Sequence, residues 1–381
     1  MSEAYIVGAV RTAIGTRKGP LGGTHPADLA AHVLRELVSR TGVDPVAVDD
    51  VIMGCVNAMG AQGGCIARTS WLSAGLPESV PAVTIDRQCG SSQQALHFAA
   101  QAVMSGTQDL VVAAGVENMA MVPIDVNRVV IEALGRTKYG AEWTARYGDQ
   151  EISQFRGAEL IADRWNLSRE DLEQFALNSH RRAAHAIDTG LFDEQIVVIG
   201  SAQADEGPRR DNTSLEKMAS MEALRPGWRI TAAVASQLSV GAAALLIASE
   251  AAVRIHGLTP LARVHAMSVV GSDPVQMLTG PIPATFAVLK RAGLSIDDID
   301  TFEINEAFAP VVLAWANDTG APLERTNVNG GAIALGHPLG ATGAILATKM
   351  IHELRRTGGR YGLQSMCEGG GQANATILER T

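Results

Sequence analysis

The sequence has little of what marks metal-binding, secreted or membrane-spanning proteins. Its four cysteines, Cys55, Cys65, Cys89 and Cys367, form no Cys-x-x-Cys pair, which argues against a zinc site and a thioredoxin-type redox pair. We expect free thiols in a reducing, cytoplasmic setting. No basic segment followed by an apolar one opens the chain, and the longest apolar run, 241–249, is less than half of the roughly 20 residues that span a bilayer. We therefore expect neither a signal peptide nor a membrane span.

Positive charge and aromatic residues are also scarce. The formal net charge of −9 argues against a general nucleic-acid binder, because phosphate backbones require clustered cations. Aromatic residues make up 4% of the chain, whereas glycine occurs 39 times, which indicates many tight turns and close backbone approaches. With 46% hydrophobic residues in 381, the composition is globular and allows two or three domains, or one large fold with an insertion.

The chain contains an internal repeat. The segment "VDDVIMGCVN" (48–57) aligns with "IDDIDTFEIN" (296–305) in its acidic pair, its apolar alternation and its final asparagine. The interval from Asn57 to Cys89 is 32 residues, and so is the interval from Asn305 to His337. The repeat could serve folding alone. Equivalent positions nevertheless hold a cysteine and a histidine, a pair that nucleophilic catalysis uses.

Both repeat segments continue in the same way after Cys89 and His337. Small residues come first, then apolar residues at helical spacing, then a glycine turn and a short strand, predicted at 110–114 and 361–366. One predicted helix face consists of Ala95, Leu96, Ala99, Ala102 and Val103. Continuous apolar strands that alternate with helices predict an α/β protein with mainly parallel sheets covered on both sides.

Residues 120–230, between the two copies, differ in composition. This stretch holds polar and charged segments, with 14 Lys/Arg against 18 Asp/Glu, and we predict an inserted loop domain. Since the domain has no net positive charge, any phosphate site in it must be local.

The first candidate for chemistry is Cys89, in "DRQCGSSQQAL" (86–96). A cysteine before Gly-Ser-Ser at a helix start lies near free backbone N–H groups, whose partial positive charge favours a thiolate. The pattern is similar to a strand-turn-helix nucleophile elbow. The alternative is a buried, inert cysteine.

Three further residues lie in unusual backbone surroundings. His337 stands in the glycine-rich "GGAIALGHPLGATG", and its equivalence to Cys89 favours a functional residue over a core histidine. Cys367, in "SMCEGGGQAN", follows a strand and precedes three glycines, so it is a candidate acid or base beside an oxyanion-binding turn, or an ordinary buried thiol. Asn305 ends a strand in "FEINEAFAP", where an amide can hold a water molecule, donate to an oxyanion or form a local turn.

Taken together, these motifs resemble the thiolase family of acyl-CoA acyltransferases. The resemblance covers essentially the whole chain, from "VRTAIG" through "DRQCGSSQQA", "NEAFAP" and "NVNGGAIALGHPLGATG" to "CEGGG". Two stretches, "EISQFRGAELIADRWNLSRED" and "YGLQSMCEGGG", are closest to bacterial thiolases of steroid-ring degradation.

The resemblance implies a fold of two repeated βαβαβαββ-type halves, packed as five α-β-α-β-α layers with the inserted loop domain. The implied boundaries are 1–119 with 231–254 for the N-terminal half, 120–230 for the loop domain that binds CoA, and 255–381 for the C-terminal half. It further implies a homodimer or homotetramer.

The resemblance also implies a role for each motif residue. Cys89 would accept the acyl group, His337 would activate it, and Cys367 would move the second proton. Asn305 would hold a water that completes one oxyanion hole with His337, and the backbone N–H groups of Cys89 and Gly369 would form the other. CoA would be a substrate, and neither a metal nor a permanently bound cofactor is expected.

Binding residues follow from the same resemblance. Arg210 would lie near the CoA nucleotide, Trp228 against the cofactor and Ser236 beside the pantetheine arm. The alternative for Arg210 is an exposed arginine that binds no ligand. Met277 and Phe308 would line the acyl pocket.

The chain departs from the family pattern at Arg156, where short-chain thiolases have a methionine between His and Gly. We hypothesise that Arg156 binds a carboxylate on a bulkier acyl chain. The alternative is an ion pair with Glu159 or another nearby acid. Glu368 is a second departure: its charge would raise the pKa of the neighbouring thiol, unless the side chain points into solvent.

The sequence thus predicts cleavage of a 3-oxoacyl-CoA by CoA, or the reverse condensation, through an acyl-Cys89 intermediate, with degradation favoured by the narrower resemblance. A ketoacyl-synthase-like condensing enzyme and a non-catalytic lipid-binding or scaffold protein of the same fold are the alternatives.

Overall fold

The computed structural model describes residues 3–210 and 213–381. Its strands are β1 (Ala4–Thr12), β2 (Gly15–Thr16), β3 (Asp50–Gly54), β4 (Ala82–Ile85), β5 (Leu110–Asn118), β6 (Ile196–Val197), β7 (Ser239–Ser249), β8 (Ala262–Gly271), β9 (Thr301–Ile304), β10 (Tyr361–Glu368) and β11 (Gln372–Arg380). Its α-helices are α1 (Pro26–Thr41), α2 (Ile66–Ser73), α3 (Ser91–Ser105), α4 (Val126–Ala133), α5 (Ala141–Tyr147), α6 (Gln154–Arg164), α7 (Arg169–Asp188), α8 (Leu215–Ala219), α9 (Glu250–His256), α10 (Pro281–Ala292), α11 (Ala309–Thr319), α12 (Ala332–Leu335) and α13 (Thr342–Thr357).

The two halves of the chain build sheets with the same pairing scheme. The N-terminal sheet has the order β4-β3-β5-β7-β1, and the C-terminal sheet has the order β9-β10-β11-β8. In each, one parallel pair, β3–β5 or β9–β10, is followed by two antiparallel pairs. The sheets meet only where Tyr5 and Ile6 of β1 pair with the start of β8. The repeat in the sequence therefore corresponds to a repeated topology.

The predicted five layers are present. Helices α1 and α2 cover the outer face of the N-terminal sheet, and α10 and α11 cover the outer face of the C-terminal sheet. Helices α3 and α13 form the central layer, and their apolar faces pack together with the inner faces of both sheets. Every residue of β7 is buried, since that strand has a helical layer on each side.

Two details differ from the predictions. The prediction of mainly parallel sheets was wrong, because most neighbouring strands in the sheet order pair antiparallel. The strands are continuously apolar because helices cover both faces of each sheet, and this pattern does not depend on parallel pairing. The C-terminal half also lacks a counterpart of β4 among the described residues. There, Thr326 makes only an isolated parallel bridge to Phe302, so this half is one strand short of the βαβαβαββ pattern.

The segment 120–230 holds α4 to α8 and the short strand β6, which returns to pair with β1. Helices α6 and α7 share an apolar cluster with the start of α11, with Ile333 of α12 and with Cys367. Helices α4 and α5 bury no residue. Helices α6 and α7 therefore pack on the C-terminal half, next to the ends of β9 and β10, whereas β6 and Asp205 contact β1 of the N-terminal half.

Candidate active site

Cys89 lies in a tight turn between β4 and α3. Gln88 adopts a left-handed backbone conformation with φ of 49°, which is uncommon for a residue other than glycine. The hydroxyl of Ser91 accepts a hydrogen bond from the Arg87 N–H at 2.9 Å and donates to the Gln88 carbonyl at 2.6 Å. Gly90 is the N-cap of α3. Cys89 is thus held at the mouth of the helix, as the sequence predicted.

The charge state of Cys89 differs from the prediction. Burial raises the pKa of the thiol to about 12, with the carboxylate of Glu368 as the next largest cause. Although the helix start favours a thiolate, the loss of water and the nearby acid outweigh it. In the free protein Cys89 is therefore a neutral thiol that needs a base, and the prediction of a favoured thiolate was wrong.

His337 is a buried, neutral imidazole. The Thr342 hydroxyl donates its hydrogen to the Pro338 carbonyl at 3.2 Å. The hydroxyl oxygen of Thr342 can therefore accept a hydrogen bond from Nδ1–H of His337 at 2.7 Å. Nε2 can then accept the Nδ2 amide of Asn305 at 3.3 Å. Burial lowers the pKa of His337 to about 4. At neutral pH this nitrogen is unprotonated, which is the state a general base requires.

Asn305 and Cys367 stand on neighbouring parallel strands. The Asn305 N–H, just beyond β9, donates to the Ser365 carbonyl on β10 at 3.0 Å. Cys367 is fully buried two residues further along β10. Burial raises the pKa of its thiol well above the ordinary value, and Cys89 is the next cause, so the two sulfurs lie close enough to interact.

Glycines bring the segments that carry these residues into direct contact. A Cβ on Gly369 would be 2.7 Å from Oε1 of Gln88, so the turn after β10 packs on the Cys89 turn. A Cβ on Gly343 would be 2.2 Å from the backbone nitrogen of Gln93, and the Ala344 N–H donates to the Ser92 hydroxyl at 2.9 Å. The structure therefore places Cys89, Cys367, Gly369, Asn305 and His337 around one region where both halves meet.

Two neighbouring cavities open beside the loop segment. One is lined by residues that include Met218, Ala235, Gln237 and Ile333. The other is lined by a basic set, Arg181, His185, Arg209 and Arg210, with Asp188. His180, Arg209 and Thr213 line both. Burial lowers the pKa of His180 to about 4, and its neutral Nδ1 accepts the Arg209 N–H at 3.2 Å.

The three residues predicted to contact CoA lie at different distances from the two cavities. Arg210 is exposed, pairs with Asp188 and lines the basic cavity. Ser236 donates its N–H to the Ala307 carbonyl at 2.9 Å and lies between the cavity residues Ala235 and Gln237. Trp228 lines neither cavity and instead packs under the Arg225 guanidinium, 5.0 Å from the ring centre. Sequence reasoning missed Arg209, for which the Arg-Arg pair at 209–210 was the available signal.

The predicted acyl-pocket residues lie together. Phe308 and Met277 are buried in the same apolar cluster as Cys367. The exposed ring of Phe155 meets Phe308 edge-on with centroids 5.5 Å apart. A Cβ on Gly157 would be 2.7 Å from the Gln276 carbonyl, which explains why α6 has a glycine where it crosses the Met277 loop.

Arg156 makes no ion pair among the described residues. Its guanidinium donates to Oε1 of Gln150 at 2.9 Å and to the Glu151 carbonyl. Glu159 pairs instead with Arg229 at 3.1 Å. The Arg156–Glu159 pair is therefore wrong. Among nearby acids, the positive charge of Arg156 acts on the Glu151 carboxylate and lowers its pKa, without forming an ion pair with it.

Glu368 is buried with no exposed surface, so a side chain pointing into solvent is excluded. Residues 3–210 and 213–381 contain no group of three or more His, Cys, Asp or Glu side chains arranged to hold a metal ion. In the same part of the chain, no helix has the length and apolar character needed to cross a membrane.

Comparisons with known proteins show which family the chain resembles along its whole length. A family model described as thiolase, N-terminal domain, matches residues 4–251, and one described as thiolase, C-terminal domain, matches residues 258–380. The chain is 60% identical to the steroid 3-ketoacyl-CoA thiolase FadA6 of Mycobacterium tuberculosis, over 100% of this chain and 95% of that protein. It is 44% identical to an Escherichia coli 3-oxoadipyl-CoA/3-oxo-5,6-dehydrosuberyl-CoA thiolase, over the full length of both. Human mitochondrial 3-ketoacyl-CoA thiolase in complex with CoA superposes with a TM-score of 0.90 at 36% identity, covering 100% of this chain and 98% of that one.

Proposed function

The chain belongs to the thiolase family, and on that basis we propose that it is an acyltransferase that cleaves a 3-oxoacyl-CoA with CoA. The products are acetyl-CoA and an acyl-CoA shortened by two carbons, and the reverse reaction is a Claisen condensation. The observation that supports the proposal is that half-buried Cys89 acts on the pKa of buried Cys367, while Asn305, on the strand beside Cys367, contacts the neutral imidazole of His337.

In the first half-reaction, Nε2 of His337 takes the proton of Cys89 as the sulfur attacks the 3-oxo carbon. The bond between C2 and C3 then breaks, and its electron pair passes to an acetyl-CoA enolate. The Cys367 thiol gives its proton to C2, which releases acetyl-CoA and leaves the acyl group on Cys89. A thiol that is neutral in the free enzyme suits this step, because burial holds the proton on Cys367 until the carbanion forms.

In the second half-reaction, the Cys367 thiolate takes the proton of the CoA thiol. The CoA sulfur attacks the acyl-Cys89 thioester, the shortened acyl-CoA leaves, and the Cys89 sulfur recovers its proton from His337. Over the two half-reactions every proton taken up is returned, and no oxidant or reductant is needed.

Two oxyanion sites serve these steps. Nε2–H of His337, once protonated, and a water held by the Asn305 amide would stabilise one thioester oxygen. The backbone N–H groups of Cys89 and Gly369 would stabilise the oxygen at the acylated carbon. The close packing of Gly369 on Gln88 supports the second site, because it holds the two backbone segments together.

CoA would bind in the two neighbouring cavities, mainly through the segment 120–230. Arg209 and Arg210 would face the phosphates, and Ser236 would lie beside the pantetheine arm, which would run along Ala235 and Gln237. A contact from Trp228 remains a prediction that needs a movement of its loop, since the ring lines neither cavity.

Arg156 would select acyl chains that carry a carboxylate. Its guanidinium makes no ion pair among the described residues, although it acts on the Glu151 carboxylate, and it follows Phe155, which packs on the pocket residue Phe308. The relatives named for 3-oxoadipyl-CoA and dehydrosuberyl-CoA act, by those names, on dicarboxylic acyl groups. The steroid name of the 60% identical relative supports a degradative direction.

The Arg156 hypothesis is tested with Arg156→Ala and Arg156→Lys on two substrates. We expect kcat/KM for a carboxylated 3-oxoacyl-CoA to fall about tenfold or more in Arg156→Ala, with partial recovery in Arg156→Lys, while acetoacetyl-CoA cleavage changes less than about twofold. Equal losses on both substrates would remove the hypothesis.

The reaction itself is tested by a thiolysis screen over 3-oxoacyl-CoA esters of different length, ring content and charge. The screen is paired with iodoacetamide labelling of Cys89, with and without acetoacetyl-CoA. Substrate-protected labelling together with turnover supports the thiolase. Acyl-Cys89 formation with decarboxylative condensation only would indicate a ketoacyl synthase, and an inert Cys89 would indicate a non-catalytic protein.

We further propose a homodimer or homotetramer in the cytoplasm. The exposed Val83 on the edge strand β4 of the N-terminal sheet supports association through that half. Light scattering of the purified chain measures the assembly state, and a monomer at micromolar concentration contradicts it.

A further inference from the structure

The proposed chemistry leaves one buried acid beside the nucleophile unused. Glu368 follows Cys367 on β10, so its side chain points to the opposite face of the strand, away from the pocket side of Cys367. It is 0% exposed, and no side chain among the described residues donates a hydrogen bond to either carboxyl oxygen, although the backbone N–H of Asn374 lies near enough to lower its pKa. A buried carboxyl with so little hydrogen bonding is costly, which makes a function for it worth seeking.

The carboxyl group of Glu368 lies directly beneath the Cys89 turn. A Cβ on Gly90 would be 2.0 Å from Oε1 and 2.7 Å from the carboxyl carbon, so Glu368 occupies the space of a side chain at position 90. The Asn374 amide donates to the Gly90 carbonyl at 3.3 Å from the same side. A change in the charge of Glu368 therefore changes the electrostatic potential at Gly90, the residue next to Cys89.

The groups around Glu368 do not hold its carboxyl in the ionised form at neutral pH. Arg87, in the turn before α3, lowers the pKa of Glu368, but burial has the larger effect and raises it to about 8. Cys89 and Cys367 are the other titratable neighbours, and the pKa of each thiol is raised by Glu368. From β11, the neighbours Gln372 and Asn374 carry no charge. Glu117 and Asp86 act on Cys89 more weakly.

We propose that Glu368 is a positioning residue that switches the reactivity of Cys89: its neutral carboxyl under Gly90 permits the thiolate, and its ionised form opposes it. This inference rests on the proposed role of Cys89 as nucleophile. Because two negative charges at this distance disfavour each other in a buried site, ionising either group hinders ionisation of the other. The protein would then form the Cys89 thiolate less readily above the pH at which Glu368 loses its proton.

The test is the pH dependence of iodoacetamide alkylation at Cys89 in the full-length protein, without substrate. Peptide mass mapping separates Cys89 from the exposed Cys65. In the wild type, the logarithm of the alkylation rate should rise with pH and flatten near pH 8, where Glu368 ionises. In Glu368→Gln it should keep rising, so that the ratio of variant to wild-type rate grows from about 1 at pH 6.5 to about tenfold at pH 9.5.

Three variants complete the experiment. Glu368→Met removes the carboxyl without adding a hydrogen-bond donor and should behave as Glu368→Gln. Arg87→Gln leaves Glu368 in place and should move the flattening to higher pH, so it carries the test if the Glu368 variants do not fold. Asp86→Asn removes an exposed carboxylate near Cys89 and should keep the flattening near pH 8, because solvent screens that charge.

The outcomes separate this inference from the proposed function. A rate ratio that stays constant from pH 6.5 to 9.5 in both Glu368 variants, or an unmoved flattening in Arg87→Gln, overturns the switch. No alkylation of Cys89 in the wild type at any pH overturns the nucleophile itself.

Discussion

The starts of α3 and α13 occupy equivalent places in the two halves but carry different chemistry. Before α3 stands Cys89, whose pKa is raised by burial, and before α13 stands His337, whose pKa is lowered by burial. Burial leaves both groups neutral, since each loses the water that would stabilise its charged form. Equivalent positions of the repeat thus hold a protonated thiol and an unprotonated imidazole.

The acids behind these two positions also differ. In the N-terminal half, Glu117 accepts hydrogen bonds from Val56 N–H, Asn57 N–H, the Gln62 amide and Gly340 N–H, and thereby ties the two halves together. In the C-terminal half, buried Glu303 pairs with buried Lys349 at 3.0 Å. Glu117 is therefore satisfied by neutral donors, whereas Glu303 is satisfied by an opposite charge.

The largest expected effect comes from removing the reactive group at either of the two helix starts. Cys89→Ala should lower kcat for thiolysis of acetoacetyl-CoA by at least about 10³-fold, because no acyl-enzyme can form. His337→Gln should cost about 10²- to 10⁴-fold through loss of the base. Steady-state kinetics and mass spectrometry of the acyl-enzyme measure both, with exposed Cys65→Ser as the matched thiol control. Wild-type turnover in Cys89→Ala would contradict the assignment of roles to the two halves.

The second prediction concerns stability and tests whether Glu303, unlike Glu117, depends on an opposite charge. Lys349→Met removes the partner of Glu303 and leaves a buried carboxyl uncompensated, so the free energy of unfolding should fall by about 3–5 kcal/mol. The double variant Glu303→Gln/Lys349→Met should recover much of that loss. Urea denaturation measures both changes. A single-variant loss below about 1 kcal/mol would show that the ion pair is not needed.

The smallest expected effect concerns the contact between the two helix starts. Gly343→Ala places a methyl group 2.2 Å from the Gln93 nitrogen and should lower stability by about 1–3 kcal/mol through overpacking. Gly23→Ala is the control, since nothing lies within 4 Å of its added Cβ. Thermal unfolding of both variants decides the point, and equal melting temperatures would mean that the halves separate without cost.

Much of the fold was accessible from local patterns. Of the predicted helix face, Ala95, Leu96, Ala99 and Val103 are buried and Ala102 is half-buried. The predicted strands at 110–114 and 361–366 fall within β5 and β10. Such patterns are readable because a helix or strand buries residues at its own period. The missing strand near Thr326 and the antiparallel pairs were not predicted, because strand partners lie far apart in the chain.

The amino-acid sequence by itself determined the repeat, the thiolase resemblance and the residues with reactive groups, since these depend only on order and spacing along the chain. Only the tertiary structure decided their charge states and partners. Glu368 lies 278 residues from Gly90 in the chain, yet its carboxyl fills the space beneath that glycine. Loss of water around a group sets its pKa, and distant segments decide how much water is lost.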